Sequence, residues 1–205
     1  MELSPRFTDA LAYAAELHAK QKRKGTEVPY ISHLLRVAGI ALEHGADEDE
    51  AIAALLHDAV EDQPGESTRQ AIRQRFGQRV LQIVEGCSDT DQHPKPPWRA
   101  RKEAYLARLA TASHSVRLIS ACDKLDNAWT TLVGCRAFGS SYWSRFRGGR
   151  QGTLWYLRSV TEILKTRDRT PLVDELDRVV TELERVAGTT GQEIEDARQS
   201  QAQDT

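Results

Sequence analysis

The chain has 205 residues, enough for one domain with a substantial core, and its formal charge of −2 with 28% charged residues excludes the global basic field of a nucleic-acid binder. Three cysteines, Cys87, Cys122 and Cys135, odd in number and without CxxC spacing, exclude a disulfide framework and a zinc ribbon. The N-terminus lacks an apolar signal region and no segment reaches the ~18 apolar residues of a membrane span, so a soluble cytoplasmic protein without membrane or nucleic-acid partners is expected.

Nearly every periodic segment has helical spacing, which predicts an all-α fold of about eight to ten helices in one domain over residues 1–187. Ser4 followed by Pro5 opens a helix with Leu11, Ala14, Ala15 and Leu17 on one face, up to the basic cluster Lys20 to Lys24. Gly25 to Pro29 reads as a loop and Tyr30 to Leu42 as a second helix ending at His44-Gly45. Asp47 with Glu50 makes a capping box for a helix expected to run through His57 until Pro64-Gly65. Ser67 or Thr68 is the expected cap of a short helix to Phe76, and Gln78 to Cys87 forms the next.

Residues 88–97 carry three prolines in four positions and read as a surface loop. Helices are predicted to resume over Trp98 to Leu109, Val116 to Val133 and Thr153 to Lys165, with a Gly/Ser/Arg-rich connection at 134–152. Pro171 to Val186 is an amphipathic last helix. Residues 188–205 are polar and Gln-rich, a tail expected to be disordered or weakly helical.

The chemistry concentrates at His57-Asp58-Ala59-Val60-Glu61-Asp62, directly behind the apolar run Ala51 to Leu56. Burying a carboxylate costs several kcal/mol unless it is paired or metal-bound, so apolar surface leading straight into this stretch calls for a cation. His33 sits one turn into the second helix beside Leu34 and Val37, and Asp123 follows the mostly apolar Val116 to Cys122. Taken singly, His33 reads as a hydrogen-bonded core residue and Asp123 as a helix acid paired with Lys124 or Arg117. Taken together, two imidazoles and two carboxylates from three helices form a mixed N/O set suited to Mn²⁺, Fe²⁺ or Zn²⁺, with water completing the shell. Glu61 lies one turn beyond His57 and Asp62 one turn beyond Asp58, where they can orient or deprotonate a water. Acids at a helix C-terminus oppose the dipole, and a local rule broken beside a metal set points to function.

These residues resemble the signature of the HD-domain metal-dependent phosphohydrolases. Arg23-Lys24, Pro29-Tyr30-Ile31-Ser32-His33, His57 to Asp62, Phe76-Gly77, Gly86-Cys87-Ser88-Asp89 and Asp123-Lys124-Leu125-Asp126-Asn127, in that order, are similar to the hydrolase domain of RelA/SpoT-type enzymes and to small alarmone hydrolases. The match covers about residues 7–165. The resemblance implies an HD-domain helical bundle that removes the 3′-pyrophosphate of guanosine tetra- or pentaphosphate, using one Mn²⁺. It further implies His33, His57, Asp58 and Asp123 as metal ligands and Glu61 with Asp62 as the water-activating pair. Arg23, Lys24 and Ser32 would lie toward base and phosphate, and Asn127 and Thr130 toward ribose. Asp123, Asn127 and Thr130 are also spaced as one helical stripe. Arg150 and Tyr156 hold approximate positions for phosphate contact and stacking, with Arg145 and Arg147 also available.

Other readings remain open on the sequence: a hydrolase of adenosine 3′-pyrophosphates or of NADPH 2′-phosphate, a nucleoside 5′-monophosphatase, a two-metal phosphodiesterase using His93 and His114, or a non-catalytic nucleotide sensor. The substrate is in every case a small nucleotide. A homo-oligomer is compatible with the sequence but not readable from it.

Overall fold

A computed structural model describes residues 2–63, 65–90 and 94–188. The expected tail beyond Gly188, and His93, lie outside the described residues. Within them the chain forms α1 (Pro5–Leu17), α2 (Ile31–Glu43), α3 (Glu48–Leu56), α4 (Ala59–Asp62), α5 (Glu66–Phe76), α6 (Gln78–Cys87), α7 (Trp98–Leu109), α8 (His114–Phe138), a 3₁₀ helix (Gly139–Arg145), α9 (Gly149–Arg167) and α10 (Pro171–Gly188). The all-α expectation holds, and the described residues contain no strand, only an isolated antiparallel bridge between Lys22 and Pro29. No described helix is long and apolar enough to cross a membrane.

The centre of the bundle is α3. Every residue from Ala51 to Leu56 is fully buried, because α1, α2, α6 and α8 all pack on this helix and its alanines let their backbones approach. Each leucine or isoleucine buried this way contributes about 1.5–3 kcal/mol. The predicted capping box is present: Asp47 Oδ1 accepts from the Glu50 N–H at 3.0 Å and Glu50 Oε2 accepts from the Asp47 N–H at 2.9 Å. α8, the longest helix, packs against α2 and α6, and α10 seals it with Leu172, Val173, Leu176, Val180, Leu183 and Ala187. Between α5 and α6, Gly77 at φ +96° turns the chain sharply enough for a new helix to begin at once.

Four sequence expectations need correction. The helix expected through His57 to Pro64 breaks after Leu56, and a four-residue α4 follows. Its cause is local: His57 Nδ1 donates to the Ala54 carbonyl at 2.8 Å, the acceptor the Asp58 N–H would use in an unbroken helix. α5 opens at Glu66 behind Gly65, not behind Ser67 or Thr68, since Thr68 Oγ1 turns back to donate to the Gln63 carbonyl at 2.8 Å. α8 begins earlier than Val116, at His114 with Ser113 as its cap, and runs past Val133 to Phe138.

The 134–152 connection is largely helical. Its composition hid Cys135, Tyr142 and Trp143, which are buried against the core and fold the segment into the end of α8, the 3₁₀ helix and the start of α9.

Gly134 makes this return possible, because a Cβ there would overlap the Tyr142 ring. Gly→Ala inside a solvated helix gains about 1 kcal/mol. Here the sign reverses: Gly134→Ala is predicted to lose about 1–3 kcal/mol through overpacking, measured by urea unfolding, and a stabilised variant would refute this packing.

Candidate active site

Three elements bring the predicted donors together. His33 comes from the first turn of α2, His57 and Asp58 from the break between α3 and α4, and Asp123 from the middle of α8. The Nε2 atom of His57 lies 3.1 Å from Asp58 Oδ2 and 3.7 Å from Asp123 Oδ1. The Nε2 atom of His33 lies 3.7 Å from Asp58 Oδ2 and 3.3 Å from Asp123 Oδ1. Donors bound at about 2.1 Å around one ion stand roughly 3.0–3.4 Å apart in octahedral or tetrahedral arrangements; the 3.1 and 3.3 Å spacings fall in that range and the two 3.7 Å spacings exceed it by a few tenths of an ångström.

Both imidazoles are prepared for such a role. His57 commits Nδ1 to Ala54, and His33 Nδ1 is hydrogen-bonded to Asp126 Oδ2 at 2.6 Å. Each ring is thereby aimed with Nε2 inward as a lone pair, the arrangement found in metal-binding histidines. His57 Nε2 is buried and makes no hydrogen bond. Burial opposes a charged His57, yet the Asp58 and Asp123 carboxylates outweigh it and push its pKa well above the usual value. Burial likewise opposes ionised Asp58, and the His57 charge still holds its pKa below the usual carboxylate range. The site therefore demands positive charge at the convergence of these atoms. His33, His57 and Asp58 meet the mutual spacing required of a metal set. Asp123 borders that set through Oδ1 while Lys124 occupies its Oδ2, and Asn127 Nδ2 donates to Oδ1 at 2.5 Å.

A ring of partners orients these donors. The Tyr30 hydroxyl donates to Asp58 Oδ2 at 2.5 Å, and the Tyr30 ring lies edge-on to His33. Asp126, 1% exposed in its side chain, is held by Arg36 and lies 3.6 Å from an Arg23 guanidinium nitrogen. Arg23 also donates to Asn127 Oδ1 at 3.1 Å. Arg23 and Asn127 thus stand in the wall of the site, already engaged with each other. Ser32 and Thr130 are half-buried nearby in sequence to these groups, and the Thr130 carbonyl accepts from the Tyr142 hydroxyl at 3.5 Å.

The acids of α4 face a basic rim. Glu61 Oε1 accepts from Lys95 at 3.0 Å, and Asp62 Oδ2 accepts from Gln21 Nε2 at 2.6 Å. For both acids burial, followed by the Asp58 charge, raises the pKa, which suits groups that take up a proton. Lys102 and Arg101 pair with the buried Asp89, Lys102 at 2.7 Å. Crowding by protein, then the Lys102 charge and further Arg147, lower the pKa of Lys24, although Glu61 and Asp62 act in the opposite sense. A cavity of about 460 Å³ touches this rim through Asp89 and Arg101, but none of the four predicted metal donors lines it.

Two sequence-predicted contacts stand differently. Tyr156, expected at an approximate position for stacking, is 7% exposed, packed among Trp98, Tyr105 and Trp155 with the Lys102 and Lys124 ammonium groups over its ring. Its ring faces are therefore taken up by protein. Arg150 is exposed at the start of α9, and no hydrogen bond or ion pair among the described residues ties it to the site; Arg147 is the arginine whose charge reaches Lys24. Sequence reasoning missed Gln21, Tyr30, Asp89, Lys95, Arg101, Lys102 and Asp126 as parts of the site. Tyr30, Asp89 and Asp126 carried a signal, since each stands inside one of the motif segments, and Asp126 is also an acid on the same apolar helix as Asp123.

Similarity to known proteins follows the same residues. An HD-domain family model matches residues 10–133. A guanosine-3′,5′-bis(diphosphate) 3′-pyrophosphohydrolase of Aquifex aeolicus is 39% identical over 124 residues, 60% of this chain and 17% of that protein. The corresponding enzymes named MESH1 are 40% identical in Xenopus tropicalis, over 58% of this chain and 65% of that one, and 35% identical in Drosophila melanogaster, over 60% and 68%. The chain thus spans less than two thirds of the length of the Aquifex and Xenopus relatives. A solved structure of a metazoan SpoT orthologue that hydrolyzes ppGpp superposes with a TM-score of 0.74 at 26% identity, covering 89% of this chain and 97% of that one. A Listeria monocytogenes structure superposes at 0.63 with 30% identity, covering 72% and 96%.

Because Asp126 orients His33, Asp126→Ala is predicted to weaken divalent-metal binding about 10–100-fold by titration calorimetry, and undiminished affinity would show that His33 is held without it.

Proposed function

This chain belongs to the HD-domain family, and from that premise we propose that it hydrolyses the 3′-pyrophosphate of guanosine tetra- or pentaphosphate, with one divalent metal, Mn²⁺, held by His33, His57, Asp58 and Asp123. The observation that carries the reading is the convergence of two inward-aimed imidazole Nε2 atoms and two carboxylates beside the acids of α4, within reach of a lysine- and arginine-lined rim. Relatives 35–40% identical to this chain are named for this reaction. A mixed nitrogen and oxygen donor set suits Mn²⁺, with Fe²⁺ and Zn²⁺ as the alternatives.

Bound there, the metal supplies Lewis-acid charge to a phosphoryl oxygen and makes a water easier to deprotonate. The remaining work falls to side chains. Glu61 or Asp62 holds the attacking water in line with the bond between the ribose 3′-oxygen and the first phosphorus and takes its proton. The new P–O bond forms as the bond to the 3′-oxygen breaks, so pyrophosphate and a nucleoside with its 5′ end intact leave. Lys24, Lys95, Lys102 and Arg147 balance the charge of the transferred and retained phosphates. Arg23, Ser32, Asn127 and Thr130 line the base and ribose side, and Arg150 and Tyr156 remain outer contacts that reach substrate only after their neighbourhood rearranges.

The test is incubation of the Mn²⁺-loaded chain with guanosine and adenosine 3′-pyrophosphates, NADPH and nucleoside monophosphates, with products separated by chromatography. Pyrophosphate release with an intact 5′ end is expected, fastest from the guanosine compounds; phosphate release or none would overturn the reading. Asp58→Ala is predicted to lose both bound metal and turnover, whereas Glu61→Ala keeps the metal and loses about 10²–10⁴ in kcat, so full activity in metal-free Asp58→Ala would sink the mechanism.

A further inference from the structure

We propose that Gln21, locked in one orientation by His18, is a positioning residue that aims the Asp62 carboxylate at the reacting water. The inference rests on the proposed role of Asp62 as a proton acceptor and adds two residues to the machinery around it.

The backbone of Gln21 is pinned from both sides. Its N–H donates to the His18 carbonyl at 2.9 Å, and its own carbonyl accepts from the Tyr30 N–H at 2.9 Å, where the loop beginning after α1 returns toward α2. The side chain is pinned as well. Gln21 Oε1 lies 2.7 Å from His18 Nδ1, and Gln21 Nε2 donates to Asp62 Oδ2 at 2.6 Å. A primary amide has one donor end and one acceptor end, so the two contacts define each other. Flipping the amide would set its oxygen against the Asp62 carboxylate.

His18 decides which end faces which. Its ring is 2% exposed and stacks on Tyr30 at 5.3 Å between centroids. Its Nε2 is buried without a hydrogen bond. A proton there would be a buried donor with no acceptor, whereas a proton on Nδ1 meets Gln21 Oε1 directly. The Nδ1–H tautomer therefore turns the amide N–H toward Asp62.

The consequence at Asp62 is directional. Oδ2 is engaged by Gln21, and the described residues give Oδ1 no hydrogen bond. Asp62 closes the turn that starts at Asp58, its N–H donating to the Asp58 carbonyl at 2.9 Å, so the orientation set by Gln21 is referred to the metal-facing residue. The same Tyr30 that stacks on His18 also donates to Asp58 Oδ2. One segment, from His18 to Tyr30, thus orients both Asp58 and Asp62, and it carries Arg23 and Lys24 between them. Proton acceptor and phosphate contacts are built on a single piece of chain.

The experiment uses the full chain and four variants: Gln21→Ala, Gln21→Glu, His18→Phe and His18→Asn. His18→Phe keeps the volume and the stacking and removes the donor; His18→Asn places an amide N–H near the position of Nδ1. For Gln21→Ala, Gln21→Glu and His18→Phe the expected result is Mn²⁺ affinity and KM little changed with kcat down about 10–100-fold, as for a misplaced catalytic group. His18→Asn should recover part of the loss. Unchanged kcat in Gln21→Ala and His18→Phe would overturn the proposal, and so would a parallel loss of Mn²⁺ affinity, which would make the pair part of the metal cage instead. A second arm needs no turnover: ¹⁵N resonances should show His18 as the Nδ1–H tautomer, and the Gln21 side-chain amide resonance should move in Asp62→Ala. If the wild-type chain acts on no substrate offered, the activity reading fails and this arm alone decides; an Nε2–H tautomer or an unmoved amide resonance overturns the network.

Discussion

Two buried imidazole lone pairs facing the Asp58 and Asp123 carboxylates make a demand for positive charge that the protein supplies only in part. Lys124 reaches Asp123 from one side, and Arg36 with Arg23 reaches Asp126 behind His33. None of these cations sits where His33 Nε2, His57 Nε2 and Asp58 Oδ2 meet. An uncompensated cluster of this kind in a low-dielectric interior would cost several kcal/mol. The architecture is arranged around it: α2, the α3–α4 break and the middle of α8 are the three pieces of backbone that must meet, and the tight, alanine-rich packing of α3 is what lets them.

The break at His57 shows how local chemistry serves that junction. In an unbroken helix, His57 and Asp58 would point about 100° apart around the axis and only one could face the centre. With the His57 ring bonded back to Ala54 and Asp58 in a bridge-region conformation, φ −96° and ψ −3°, both side chains reach the same point. The short α4 then swings Glu61 and Asp62 toward Lys95 and Gln21 respectively. A helix interruption here divides the acids into two groups, Asp58 facing the imidazoles and Glu61 with Asp62 facing Lys95 and Gln21.

Around this centre the charges fall in layers. Inside are the ligand-type groups, next the neutral or paired partners that contact them (Tyr30, Asn127, Asp126), and outside lies the basic rim of Lys24, Lys95, Arg101, Lys102 and Arg147. The chain is nearly neutral overall, so this rim is a local field, which fits a small anionic ligand better than a long polyanion. α10 and the last part of α8 contribute no group to the site; their apolar faces hold α8 in place, and with it Asp123 and Asn127.

The amino-acid sequence by itself determined the class of fold and the positions of most helices and pointed to four donor side chains, because helical periodicity, caps and acids behind apolar runs are properties of neighbouring residues. It also carried Glu61 and Asp62, through their spacing from His57 and Asp58. What it could not carry were relations between segments far apart in the chain. Gln21 against Asp62, Lys95 against Glu61, Arg101 against Asp89 and His33 against Asp126 are pairings across 41, 34, 12 and 93 residues, and each member alone is an ordinary polar side chain. The surroundings of Tyr156 were illegible for the same reason, since only packing shows that its ring is covered. The break at His57 lay between these extremes: its cause is a side chain bonding its own helix, but its benefit, two adjacent residues facing one point, exists only once α2 and α8 are in place to meet them.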